Sequence, residues 1–159
     1  MNISEKGIDF ICRFEGFRAG PYPDPGTGGR PYTIGYGTTR YMNAVLVTMA
    51  DAPITEELGK ELLKNHVRLI VEPIINHLLP NRKQWEFDAL CSLVYNIGAE
   101  NFEKSTLVKR LLAGMTDEPM IYGGFGMWNR SGGKVMNGLV ARRWDEACLF
   151  VGGDYGKAA

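Results

Sequence analysis

Three cysteines, two histidines, no excess charge of either sign and no long apolar run are what this 159-residue chain has to offer several common chemistries. Cys12, Cys91 and Cys148 are an odd set, and each falls in an apolar periodic segment. That excludes a disulfide framework and predicts reduced thiols in the core, made in a reducing compartment. A cysteine nucleophile is disfavoured for the same reason, because an apolar stripe penalises the thiolate. His66 and His77 stand eleven apart with no His-Glu-x-x-His pattern, which excludes the usual zinc peptidase site. No metal and no organic cofactor are expected. Eighteen basic residues against eighteen acidic ones exclude nucleic-acid or membrane binding driven by net charge. The first helix is interrupted by Asp9, Arg13 and Glu15, and nothing approaches the ~18 apolar residues that span a bilayer. The expectation is therefore no signal peptide, no membrane insertion and synthesis in the cytoplasm. Gly26-Thr27-Gly28-Gly29 is no phosphate loop, since it precedes its strand and lacks a following Lys-Ser or Lys-Thr.

What is present is the composition of one globular domain over residues 1–159, with 45% hydrophobic residues and no repeat or linker. Ser4 is a good N-cap, Ile3 can staple onto Ile8, and Ile8, Ile11, Cys12 and Glu15 fall at helical spacing before Gly16, which predicts a helix over 4–15. Breakers crowd residues 19–31. Tyr32 to Thr39 then alternates with period two, placing Tyr32, Ile34 and Tyr36 on one face and Thr33, Gly35 and Gly37 on a nearly bare one, where a flat polar ligand could approach backbone. From Thr55 the pattern is helical, with Leu58, Leu62, Val67, Leu69 and Ile70 on the apolar side and Pro73 as an end or kink. Asn81 with Gln84 reads as a capping box before Phe87, Leu90, Cys91 and Val94, and Gly98 stops that helix. Ser105 opens another that Gly114 closes. Asn137 opens the last, with Val140, Trp144, Ala147, Cys148 and Val151 on its apolar side. The sum is an α+β fold: a small antiparallel lobe over about 19–50 and a larger helical lobe over about 55–152, with a cleft between them.

Within that frame Glu15 stands out, because a carboxylate on an apolar stripe costs free energy unless paired or protonated. Disfavouring the charged form suits a general acid. Its competing role is structural, as the partner of Arg18 or of a basic residue in the last helix. Asp24, between Pro23 and Pro25, sits in a polar loop that keeps an aspartate ionised, and taken alone reads as a turn residue. The acid-free basic run Arg130, Lys134, Arg142, Arg143 is either a solvated helix face or a patch for an anionic polymer.

Taken together, Glu15-Gly16, Asp24 and Thr33-Ile34-Gly35-Tyr36-Gly37 resemble the tailed-phage lysozymes, glycoside hydrolase family 24. The resemblance extends through Phe87-Asp88-Ala89-Leu90, Tyr95-Asn96-Ile97-Gly98, Ser105-Thr106-Leu107, Trp128 and Gly138-Leu139-Val140-Ala141-Arg142-Arg143. It covers nearly the whole chain.

The resemblance implies a lysozyme-like fold and cleavage of bacterial peptidoglycan between N-acetylmuramic acid and N-acetylglucosamine. Glu15 would be the acid, and Asp24 with the Thr33 hydroxyl would position water for inversion, at a carboxyl separation of about 6.5–9.5 Å. Substrate contacts would come from Tyr32, Gly35, Tyr95, Asn96 and Trp128, although Trp128 reads equally as core and the hairpin tyrosines, Tyr32 and Tyr36, read more readily as core than as contacts. A holin would release the enzyme from the host cytoplasm to the wall, and it would act as a monomer. Two departures mark this chain: eight residues separate Asp24 from Thr33 where the family has about five, with Thr27 inside the insert, and Thr38 stands where relatives often carry histidine. The reading of another class is a peptidoglycan-binding module of the same fold without activity.

Overall fold

Ser4 does cap the first helix, accepting from the Gly7 backbone N–H at 3.0 Å, and α1 runs Glu5–Glu15. The computed structural model describes residues 1–23, 28–41 and 43–156. Ile8, Ile11 and Cys12 are buried as the periodicity requires, and Ile3 joins the same core. Gly16 ends the helix at φ 68°, a left-handed conformation that a side chain would strain.

The chain then forms β1, Arg18–Pro23, antiparallel to β2, Tyr32–Gly35, with Tyr22 opposite Thr33 and Pro23 opposite Tyr32. The expected strand over Tyr32 to Thr39 is shorter than its alternation suggests. Gly35 and Gly37 both have positive φ, so the chain reverses there, and Ile34 and Thr38 exchange backbone hydrogen bonds of 2.9 and 3.0 Å. The supposed bare face is also covered: Thr33 is buried, and a Cβ on Gly35 would lie 3.2 Å from Ile54 and 3.3 Å from Gly59.

Thr55 caps α2, Glu56–His66, which continues through a π-helical segment, Val67–Val71, into α3, Glu72–Leu78. Pro73 neither ends nor breaks this run. Proline has no N–H to give the preceding turn, and the wide turn in front of it, closed by the Glu72 N–H on the Val67 carbonyl, accommodates that loss. The wide turn also corrects the expected apolar side. One extra residue rotates the next turns of the helix by about 100°, so the buried stripe runs Leu63, Val67, Val71 and Ile75, while Leu69 and Ile70 are 63% and 50% exposed; Leu58, ahead of the wide turn, is 47% exposed as well.

In the helical lobe α4 spans Gln84–Ile97, but Asn81 is not its cap. Asn81 lies in the left-handed region at φ 64°, and the cap is Lys83, whose N–H donates to Glu86 Oε2. Next come α5, Ala99–Lys104, α6, Thr106–Leu112, capped by Ser105, and α7, Glu118–Gly126, capped by Asp117. A small hairpin of β3, Arg130–Ser131, and β4, Lys134–Val135, leads into α8, Asn137–Gly152. The sequence pattern misses α5, α7 and this hairpin. Its apolar side for α8 also needs correction: Val140 and Trp144 are 42% and 61% exposed, and the buried face carries Arg142, Arg143 and Glu146 with Ala147, Leu149 and Phe150. The basic run is therefore neither a solvated face nor a continuous patch, since two of its four members lie inside. All three cysteines are free, Cys12 and Cys91 are buried, and burial pushes the Cys12 thiol up to about 11. Among the described residues no helix is long and apolar enough to cross a membrane.

Asp88, wholly buried on α4, ties the two chain ends to this lobe. It accepts from Ser4 N (3.1 Å), Ser4 Oγ (2.5 Å), Gln84 Nε2 (2.9 Å) and Tyr155 Oη (2.7 Å). Burial and this carboxylate push the Tyr155 phenol up to about 12. Asp88→Ala removes the acceptor of four partly buried hydrogen bonds at once and is expected to cost roughly 1–3 kcal/mol, read as a lower denaturant midpoint at unchanged slope. A loss below ~0.5 kcal/mol would refute this role.

Candidate active site

Because α1 ends at Glu15 and the chain turns away at Gly16, the glutamate side chain projects from a helix end into a cleft of about 560 Å³. One wall is the turn Gly37–Tyr41 of the small lobe, and the other comes from Asn65 and His66 of α2, Leu69 of the π segment, and Tyr95 and Asn96 of α4.

The carboxylate is not left unpaired. Arg142, 4% exposed on α8, reaches Glu15 Oε1 with Nη1 at 2.7 Å, gives Nε to Glu146 Oε1 at 3.0 Å, and donates through Nη2 to the Ser92 carbonyl at 3.2 Å. Ser92 Oγ donates to Glu146 Oε1 at 2.6 Å. Arg143 donates through Nη2 to the same oxygen at 2.9 Å, and its Nε lies 2.9 Å from Glu146 Oε2 without hydrogen-bond alignment. Two guanidiniums and two carboxylates thus neutralise one another, all but Glu15 out of water, which is what makes the burial of the other three tolerable. Burial pushes the Glu146 carboxyl up, against the pull of Arg143 and Arg142. The structural alternative for Glu15, pairing with a basic residue of the last helix, is real, and it coexists with exposure of the carboxylate to the cleft.

Tyr95 crosses from the helical lobe to the small one: its hydroxyl donates to the Tyr36 carbonyl at 2.7 Å, and its ring meets His66 edge-on at 5.4 Å. Burial first, and the Glu15 charge next, push the Tyr95 phenol well above its ordinary range. His66 is pushed down by desolvation. Tyr36 itself is core, packed 5.4 Å from Phe17 and donating to Glu56 Oε1 at 2.7 Å, so α2 holds the turn from behind.

Of the residues singled out in the sequence, Glu15, Tyr95 and Asn96 meet in the cleft. Asp24 and Thr27 lie outside the described residues, and with them the Glu15 to Asp24 separation. Thr33 is buried opposite Tyr22, Tyr32 pairs with Pro23, and Gly35 is backed against α2. None of these three is among the cleft-lining residues, and neither is Trp128, which packs against the core. Gly35 is thus corrected from an open-face contact to a close packing point. Sequence reasoning misses Arg40, Asn65, His66 and Leu69 as cleft residues, because they meet only through the packing of the hairpin turn across from α2 and the π segment, which no local pattern shows. The role of Arg142 is half visible in the sequence, as an unnamed basic partner on the last helix.

Known proteins share this sequence pattern and fold. The Phage lysozyme family model matches residues 12–146. The endolysin of Bacillus phage B103 is 40% identical over 154 residues, 97% of this chain and 56% of that protein. The endolysin of Salmonella phage P22 is 34% identical, covering 95% of this chain and 99% of the relative. This chain thus spans just over half the length of the Bacillus phage proteins and nearly all of the P22 one. Among solved structures, an endolysin from Escherichia coli O157:H7 phage FAHEc1 superposes with a TM-score of 0.84 at 35% identity, covering 99% of this chain and 98% of that one. A P22 lysozyme variant does so at 0.80 and 34%, covering 95% and 99%. The family match over most of the chain and the shared fold agree with a carboxylate placed at the mouth of a two-lobed cleft: the chain belongs to the phage lysozyme family.

Proposed function

We propose that this chain is an endolysin that hydrolyses the β-1,4 bond between N-acetylmuramic acid and N-acetylglucosamine in bacterial peptidoglycan. The observation that carries the reading is Glu15 at the cleft, one carboxylate oxygen held by a buried guanidinium and the side chain still 19% exposed. Glu15 is the acid that protonates the glycosidic oxygen as the sugar ring takes on oxocarbenium character. Asp24, with the Thr33 hydroxyl, positions the attacking water, so the anomeric configuration inverts. Thr33 takes this role from the family pattern, since its side chain is buried beside Tyr22 and is not among the residues that line the cleft. Asn96 contributes amide hydrogen bonds to an N-acetyl group from the opposite wall. Membership in an endolysin-rich family supports host lysis as the role, with release from the cytoplasm by a holin and action on the wall as a monomer.

The test is chemical. Incubation with purified peptidoglycan should generate new reducing ends, and borohydride reduction of the products should convert muramic acid and not glucosamine. Chloroform-treated Gram-negative cells should lose turbidity in parallel. Binding to peptidoglycan with no reducing ends formed would replace this reading with that of an inactive wall-binding module.

A further inference from the structure

The two oxygens of Glu15 have different surroundings. Oε1 is held by Arg142 at 2.7 Å. A proton on that oxygen would set a donor against a donor and break a charge-assisted bond, so Oε1 is the wrong place to store one. Oε2 faces Gly37 instead. A Cβ built on Gly37 would lie 3.9 Å from Oε2 and 3.3 Å from Tyr95 Oη, so the missing side chain leaves a small opening bounded by these two groups. Gly37 takes φ +101°, where any other residue would strain the turn. α2 holds that turn from behind, and the bond from Tyr95 Oη to the carbonyl of Tyr36, the residue just before Gly37, ties it to α4 on the side of Glu15. That bond joins α4 to the small lobe, at the base of the cleft.

We infer that Tyr95 is a positioning residue: its hydroxyl sets the width of the opening between Gly37 and Oε2 of Glu15, the oxygen from which the proton is delivered. The inference rests on the assignment of Glu15 as the acid. In the step, the Oε2–H bond breaks as a bond forms to the glycosidic oxygen, and the electron pair of the cleaved carbon–oxygen bond stays with that oxygen. Water adds to the anomeric carbon and its proton passes to Asp24. Glu15 is left as a carboxylate whose charge Arg142 already meets, so the charge formed at Oε2 finds a partner without rearrangement. The role differs from the substrate contact expected of Tyr95, because a hydroxyl donating to backbone does not have that proton to offer a sugar.

Tyr95→Phe tests this, since it keeps the ring against His66 and removes only the tie to the turn. Initial rates of reducing-end release from solubilised glycan strands, with a thermal melt of the same preparations, should show kcat falling roughly tenfold. KM should stay within about twofold and the melting point within a few degrees. A raised KM at unchanged kcat would overturn the inference in favour of a substrate contact. A fall in kcat matched by loss of folded protein would overturn it in favour of a purely structural role. Glu15→Gln, run alongside, separates the two layers. An unchanged Tyr95→Phe beside an inactive Glu15→Gln defeats the positioning role alone, whereas a fully active Glu15→Gln defeats the acid assignment beneath it.

Discussion

Glu146→Ala should lower the stability of the fold by about 3–5 kcal/mol, a drop in melting temperature of roughly 6–20 °C for a chain of this size. Glu146 is wholly buried and serves Arg142 Nε at 3.0 Å, Arg143 Nη2 at 2.9 Å and Ser92 Oγ at 2.6 Å. Removing it leaves two guanidiniums, 4% and 1% exposed, with Glu15 as their remaining counter-charge among the described residues. An uncompensated buried charge costs far more than the net worth of the pair it came from. Glu146→Gln keeps the volume and one acceptor, and should fall between the alanine variant and the native protein. Calorimetry or circular dichroism at fixed pH reads the difference. A loss below ~1 kcal/mol in the alanine variant would mean that water or a side-chain shift replaces Glu146 without penalty, and the network would not be what anchors α8. The same variant reports on the cleft, since Arg142 connects Glu146 to Glu15.

How far this arrangement is legible in the sequence varies by element, for physical reasons. The first helix is fully legible because its cap, its periodicity and its terminating glycine are all local, and Glu15 is conspicuous because it breaks a local rule. α8 is not. Its inward face mixes Arg142, Arg143 and Glu146 with Ala147 and Leu149, and hydropathy reads such charges as surface. Only their mutual neutralisation puts them inside, and that is a long-range fact: Arg142 meets a residue 127 positions away. α7 is hidden by Gly123, Gly124 and Gly126, which argue against helix locally. Gly124 is tolerated because α6 packs there so closely that a Cβ would lie 2.7 Å from Leu107. Leu69 and Ile70 fall on the wrong side when a period of 3.6 is carried through a π turn. Asp24 owes its candidacy to the family pattern, whereas Thr33 is favoured by that pattern and by strand alternation, which assigns it to a bare face although it is buried.

Glu15→Gln should reduce kcat on peptidoglycan by ~10²–10⁴-fold, the contribution typical of a positioned general acid, while the protein remains folded. The amide matches the carboxylate in volume, and its oxygen can still accept from Arg142 Nη1, so the 2.7 Å contact has a neutral successor. Arg142 also retains Glu146 at 3.0 Å, which is why this substitution should cost little stability where Glu146→Ala costs much. What the amide cannot do is lose a proton from the atom beside Gly37 and become an anion stabilised by the guanidinium behind it. Glu15→Asp separates position from chemistry. It keeps an acid but withdraws it by one methylene from both Arg142 and the opening, and it should be impaired nearly as strongly if the geometry matters as argued. Single-turnover rates with wall fragments, alongside melts of all three proteins, distinguish these effects. Equal rates for the native protein and Glu15→Gln would reduce Glu15 to the structural partner of Arg142 and send the search for the acid elsewhere along the cleft.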